Sequence, residues 1–146
     1  MKKPWVIEIL PLIRPTSNVV LAILLRLPIH PNIITGFSLA SGLAASAILF
    51  FVSEKSAILP ALLLILSYIF DNCDGEIARK KGLTSEFGRR FDNLSDWLIH
   101  ACFFLALGHA WHTVTGKPWW SWMGWAAAAG STINYFLTLI YELVDP

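Results

Sequence analysis

Residues Ile33–Val52 read IITGFSLASGLAASAILFFV, twenty positions without a charge. Inside hydrocarbon every backbone N–H and C=O must be satisfied within the protein, which leaves a helix as the simplest form for such a run. About 20 helical residues cover the ~30 Å of a bilayer's apolar core. The chain is 55% hydrophobic and 14% charged, against roughly 25% charged residues in soluble domains. The run is therefore read as a membrane span and the protein as an integral membrane protein. Gly36, Ala40, Ser41, Gly42 and Ala44 offer small faces for close helix packing.

Three more segments fit a crossing. Ala57 to about Arg79 is apolar as far as Phe70 and then turns acidic. A third begins polar near Gly88 and is apolar from Trp97 to Trp111. The fourth, Trp119–Tyr141, opens on Trp119, Trp120, Trp122 and Trp125, which suit an interfacial belt. Ahead of them, Pro11 and Pro15 interrupt the chain, and Ser17–Leu27 reads as a helix too short to span and suited to lie along the interface. The expected fold is all-α: an N-terminal interfacial amphipathic helix and four transmembrane helices near 33–52, 57–79, 88–111 and 119–141. Residues 1–30 form the cytoplasmic or interfacial segment and 31–146 the transmembrane domain, a single unit at this length.

Basic residues orient the spans. Lys2, Lys3, Arg14, Arg26, Arg79, Lys80, Lys81, Arg89 and Arg90 fall on one side, Lys55 and Lys117 on the other. Nine against two places the N-terminus in the cytoplasm, and in a bacterial-type cell the inner membrane is expected. A net charge of +1 without a polybasic tail gives no sign of nucleic acid binding. Cys73 and Cys102 lack zinc spacing and read as small buried residues. A cleaved signal peptide is not expected, because Glu8 and Pro11 break the Trp5–Ile13 run and no small-residue cleavage site follows.

The chemistry lies between spans two and three, where Asp71, Asp74, Asp92 and Asp96 meet the cytoplasmic boundary. At ~100° per residue, Asp71, Asp74, Gly75 and Ala78 share a sector of one helix, and Asp92 and Asp96 are one turn apart on the next. Four carboxylates facing each other cannot all remain ionised without countercharge. Hard divalent cations such as Mg²⁺, Mn²⁺ or Ca²⁺ suit them, and four can hold two ions with Asp71 and Asp92 bridging. Gly75 and Ala78 leave room on the acidic face, and Arg79 supplies a guanidinium suited to phosphate oxygens. Together these describe a diphosphate site. Structural ion pairs with Arg79, Arg89 and Arg90, or an ion pathway, explain one carboxylate better than two helical pairs at interlocking spacings.

Asp71, Asp74, Gly75, Ala78 and Arg79, then eight residues, then Gly88, Asp92 and Asp96 resemble the CDP-alcohol phosphotransferase motif DxxDGxxAR-x8-GxxxDxxxD, with all eight fixed positions present. Arg14–Thr35 is also similar to the family's interfacial helix and the start of its first span. The resemblance runs to about His109. It implies an integral membrane enzyme, usually a homodimer among membrane lipids, that cleaves a CDP-alcohol, releases CMP and joins the phospho-alcohol to a hydroxyl acceptor. It implies two divalent ions, Mg²⁺ or Mn²⁺, with Asp71 and Asp92 bridging, Asp74 on the first and Asp96 on the second. Asp96 would also be the general base. Gly75, Arg79 and Ser85 match positions that contact the CDP group, Ala78 and Gly88 positions kept small around it, and Asn32 and Thr35 a further nucleotide-contacting segment.

The family usually has six spans, so the last two would be missing from the four read here. The FDNLSDW stretch lacks the DPxxDK form associated with phosphatidylglycerophosphate synthases, which lowers glycerol phosphate as acceptor without choosing among serine, inositol phosphate and other alcohols. CDP-diacylglycerol is the expected donor and a small alcohol the acceptor. The alternatives are a CDP-linked small alcohol given to a diacylglycerol-like lipid, or a member that binds CDP and metal without turnover. His100 reads as a packing residue, and His109 and His112 as interface residues of the far loop. Lys80, Lys81, Arg89 and Arg90 read as topology and headgroup charges, with a phosphorylated acceptor as the alternative ligand for any one of them.

Overall fold

The computed structural model describes residues 13–52 and 57–144, with side chains from residue 19 onward. Lys2, Lys3, Lys55 and the Arg14 side chain, which enter the orientation count, lie outside the described residues, as do residues 1–12. Five helices follow one another: α1 (Ile13–Leu25), α2 (Pro31–Phe51), α3 (Ile58–Lys81), α4 (Glu86–Thr115) and α5 (Trp119–Val144). No strand occurs among the described residues.

The helix ends follow local chemistry. Among the described residues α1 already runs from Ile13, ahead of the expected Ser17, and includes Pro15; proline costs little in a helix's first turn, where backbone N–H groups have no intrahelical partner. Pro31 opens α2 for the same reason, and the His30 ring caps it by accepting from the Asn32 N–H at 3.3 Å. α3 ends on Gly82, whose φ of 66° is left-handed and favours glycine. Ser85 then starts α4, its hydroxyl accepting from the Gly88 N–H at 3.0 Å. A stop and a start only three residues apart bring the ends of α3 and α4 together. Lys81, which the sequence assigns to topology and headgroups, instead donates to the Leu27 and Ile29 carbonyls at 2.7 and 3.2 Å, tying the α1–α2 link to the end of α3.

α2 is central, packing on both α3 and α4, while α1 covers α3 and α5 covers α4. On its α3 side, Ser38 and Ser67 exchange hydrogen bonds, each hydroxyl donating to the other's carbonyl at 2.9 Å. On its α4 side, Gly42 lets Ile99 approach so closely that a Cβ there would stand 2.7 Å from it. The contact stripe is thus Ser38, Gly42, Ala45 and Ser46, all buried, whereas Ala40 and Ala44 are exposed and Gly36 meets nothing within 4 Å. A helix with small residues on several faces does not specify which one packs. α4 and α5 close on Gly108 and Gly124, which face each other backbone to backbone.

α2 and α3 are long and apolar enough to cross a membrane. α4 and α5, at 30 and 26 residues, have the length, but α4 starts polar and α5 is diluted by tryptophan and small polar residues. The apolar surface is largely outward. Only 33% and 28% of the most apolar windows of α2 and α3 are buried, far less than a core helix of a soluble domain needs. One buried cluster, Leu21, Ile34, Ile69, Cys73 and Ile77, joins α1, α2 and α3 beneath the acidic end. His109 and His112 are not loop residues: α4 runs through both, His109 stacks on Phe50 at 4.2 Å, and His112 meets the Ser121 hydroxyl at 2.9 Å.

Candidate active site

The last turns of α3 and the first turns of α4 place the four aspartates. Asp71 and Asp74 are one turn apart on α3, and Asp92 faces them from α4. Ligand oxygens of Asp71, Asp74 and Asp92 lie within 4.8 Å of one another. Asp96 stands outside that trio, one turn deeper, where its side chain meets that of Asp71. The four carboxylates are therefore one triad with a flanking member, not an equal quartet.

Asp74 is 4% exposed and is held from α2: Thr35 donates its hydroxyl to Asp74 Oδ2 at 2.5 Å. Thr35 is equally buried, and its other contact, the Pro31 carbonyl at 3.4 Å, is at the limit of a hydrogen bond. A hydroxyl has one proton to give, so the carboxylate takes it. Thr35 matches a nucleotide-contacting position in the motif, but here its hydroxyl orients Asp74.

Asp92 Oδ1 is buried and has no hydrogen-bond partner among the described residues. A buried carboxylate oxygen left unpaired is costly, and this one sits among other carboxylates that repel it. A divalent cation resolves both problems. The donor set, all carboxylate oxygen, fits a hard ion. Asp71, Asp74 and Asp92 would hold it, with Asp96 within reach of Asp71.

Asp74 and Asp92 of the triad open into a cavity of about 870 Å³, within the size range of ligand pockets. Asn32, Thr35, Gly75, Ala78, Arg79, Ser85 and Gly88 line it with them, and Asp71 and Asp96 are not among the lining residues. Arg79 folds back one turn over Gly75, so that a Cβ on Gly75 would meet its guanidinium at 3.4 Å. Among the described residues no carboxylate forms an ion pair with Arg79, which leaves it available to an anion in the cavity. Asn32, Ser85 and Gly88 converge on the opposite lip, and a Cβ on Gly88 would stand 3.1 Å from both the Asn32 and Ser85 side-chain oxygens. The Ser85 hydroxyl accepts the α4 cap bond, which leaves its own proton to donate into the cavity.

Other residues belong to this site although sequence reasoning passed over them. Leu139, Glu142 and Leu143, from the end of α5, form a further wall of the cavity. Glu142 is ion-paired with Arg89 and accepts from the Asn93 amide at 3.1 Å. A single acidic residue in the last turns of a helix carried no spacing signal that linked it to α4. His100 turns away and bonds back to the Asp96 carbonyl at 2.7 Å.

Fold and site together define a helical protein with a carboxylate trio suited to a divalent cation, two members of which share a cavity with Arg79, unpaired among the described residues. Residues 28–143 match the family model described as CDP-alcohol phosphatidyltransferase, and the chain belongs to that family. It is 32% identical over 114 residues to a bifunctional IPC transferase and DIPP synthase of Aquifex aeolicus, covering 77% of this chain and 24% of that protein. It is 34% identical over 68 residues to the CDP-diacylglycerol–serine O-phosphatidyltransferase of Helicobacter pylori, covering 47% and 27%. Against the CDP-diacylglycerol–glycerol-3-phosphate 3-phosphatidyltransferase of Rickettsia felis it is 35% identical over 82 residues, covering 56% and 39%. The matched segments span between 24% and 39% of these relatives' lengths. No solved structure matches the chain.

Proposed function

We propose that this protein is a membrane-embedded transferase that moves a phosphatidyl group from CDP-diacylglycerol to the hydroxyl of a small alcohol and releases CMP. The observation that carries this is the unpartnered Asp92 oxygen among three carboxylates within 4.8 Å, opening on a cavity that also holds an unpaired Arg79. Acidic and cationic groups over one cavity suit a diphosphate, whose oxygens need a cation on each side.

Asp71, Asp74, Asp92 and Asp96 would hold two ions, Mg²⁺ or Mn²⁺. Such ions, when bound, draw charge from phosphoryl oxygens and from the leaving group. The chain's own groups do the rest. Arg79 binds and orients the diphosphate by charge-assisted hydrogen bonds. Gly75, Ala78 and Gly88 leave the space it occupies, with Asn32 and Ser85 at the rim. Thr35 keeps Asp74 in position. Asp96, outside the trio, takes the proton of the acceptor hydroxyl as general base. The acceptor oxygen bonds to the phosphorus that carries the diacylglycerol, the bond from that phosphorus to the bridging oxygen breaks, and CMP departs with the electron pair.

The outward apolar surfaces support four spans, α2 to α5, with α1 along the interface, the N-terminus and site facing the cytoplasm, and residues 31–146 as the catalytic unit. A homodimer would cover part of that surface. Lipid tails then stay in the bilayer while the headgroup reacts at its edge. The test is CMP release in lipid nanodiscs. Asp92→Asn and Asp96→Asn should each abolish it while expression and thermal stability hold; full activity in both would refute the assigned roles.

A further inference from the structure

The cavity has two chemically different sides. Thr35, Gly75, Ala78 and Arg79 face it from α2 and α3, and Arg89 with Glu142 face it from α4 and α5. With the diphosphate on Arg79, the second alcohol is left the α4–α5 side. Arg89 there is not free: Glu142 is paired to its guanidinium. Asn93, one turn along α4 from Arg89, donates to the same carboxylate at 3.1 Å. The Glu142 side chain is only 20% exposed and the Arg89 side chain 49%, so the carboxylate is the more firmly enclosed partner. Arg90 and Glu86, which also line the cavity, pair with each other at 2.5 Å one turn apart on α4, both side chains largely exposed.

We propose that Glu142 sets the acceptor class: by holding Arg89 it makes this wall neutral, so that the site takes an alcohol without a phosphate group and rejects its phosphorylated counterpart. This rests on the transferase function proposed above and adds the identity of the second substrate's headgroup. A phosphate monoester carries about −1.5 to −2 charges at neutral pH. To bind here it must take Arg89 from Glu142, which leaves that half-enclosed carboxylate with Asn93 alone beside an incoming anion of the same sign. A neutral polyol or a zwitterionic amino alcohol meets no such conflict and finds donors and acceptors already paired in a fixed geometry. The repulsive element, more than any added attraction, supplies the discrimination.

Inorganic phosphate is the first probe, titrated calorimetrically into the purified chain in detergent, every protein carrying Arg79→Gln so that the other guanidinium of the cavity does not compete. Glu142→Gln keeps the size and a hydrogen-bonding group while releasing Arg89. It should bind phosphate at least roughly tenfold more tightly than wild type, about the weight of one charge-assisted hydrogen bond. The gain should vanish in Glu142→Gln combined with Arg89→Gln. Equal phosphate affinity in wild type and Glu142→Gln overturns the proposal, as does tight phosphate binding to wild type that is lost in Arg89→Gln. Turnover gives the second readout: CMP release from CDP-diacylglycerol with glycerol against glycerol 3-phosphate. Wild type should favour glycerol, and Glu142→Gln should shift the kcat/KM ratio toward the phosphorylated alcohol by a similar factor. A wild-type preference for glycerol 3-phosphate overturns the proposal. No CMP release with any alcohol, alongside the expected phosphate titration, counts against the transferase function and upholds the assignment of Glu142.

Discussion

Replacing Thr35 by valine removes one hydroxyl and nothing else of note. Valine keeps the branched shape, and the site is buried, so the helix α2 loses no packing volume. What goes is the 2.5 Å hydrogen bond to Asp74 Oδ2. Both partners are 4% exposed, so water cannot take the hydroxyl's place without entering the α2–α3 contact. A hydrogen bond to a charged group contributes about 1.5–3 kcal/mol, and at ~1.4 kcal/mol per decade that is a factor of roughly 10 to 100. Loss of a hydrogen bond that orients a metal-ligating carboxylate falls in the same range, about 10–100-fold in metal affinity. We therefore expect Thr35→Val to weaken Mn²⁺ binding by about one to two orders of magnitude, and Thr35→Ser to restore most of it. Electron paramagnetic resonance of Mn²⁺ titrated into the protein in detergent measures this without turnover. Unchanged Mn²⁺ affinity in a folded Thr35→Val protein would refute the positioning role, and equal loss in Thr35→Ser would show that packing, not the hydroxyl, matters.

Further expectations concern the frame and the rim. Gly124→Ala would set a Cβ 2.7 Å from the Phe104 carbonyl oxygen and 3.0 Å from Gly108 Cα. It should lower the thermal midpoint by a cost of about 1–3 kcal/mol, while Gly130→Ala, with nothing within 4 Å, should not; equal midpoints would sink the close α4–α5 approach. Ser85→Ala should lose the α4 cap and about 1 kcal/mol of stability, with Ser85→Thr near wild type in a denaturation series; no loss on Ser85→Ala would refute the cap. Gly88→Ala should displace Asn32 and the Ser85 hydroxyl, each 3.1 Å from the new Cβ, and weaken CMP binding measured by calorimetry. Unchanged binding would remove that lip from the nucleotide site.

The sequence showed most about residues that act at fixed spacing along one helix. Asp71 with Asp74, and Asp92 with Asp96, announce their shared faces through the helical repeat, and Gly75, Ala78 and Arg79 join them at intervals of three and four. The turn that sets α3 beside α4, made by Gly82 and Ser85, goes unread in the sequence, where Ser85 is expected only as a CDP contact. Contacts between distant helices left no such trace. Nothing local to Thr35 indicates a partner 39 residues away, and nothing in an apolar run marks Ser38 and Ser67 as a reciprocal pair. Helical period also misled where it was degenerate: α2 has small residues on several faces, and burial of Ile99 against Gly42 selected one of them. Glu142 stood alone in its sequence neighbourhood and gained a role only when α5 returned it to Arg89 and Asn93. Spacing along each helix left open how the two pairs meet, and three-dimensional placement groups Asp71, Asp74 and Asp92 as a compact trio beside Asp96.

The most direct measurement is calorimetric binding of CMP to the purified chain, with and without Mn²⁺, in wild type and Asp74→Asn. A site in which carboxylates and Arg79 share the nucleotide phosphate through a cation predicts binding that requires Mn²⁺ and is lost in Asp74→Asn. Binding of equal strength without Mn²⁺, or unchanged by Asp74→Asn, would contradict it.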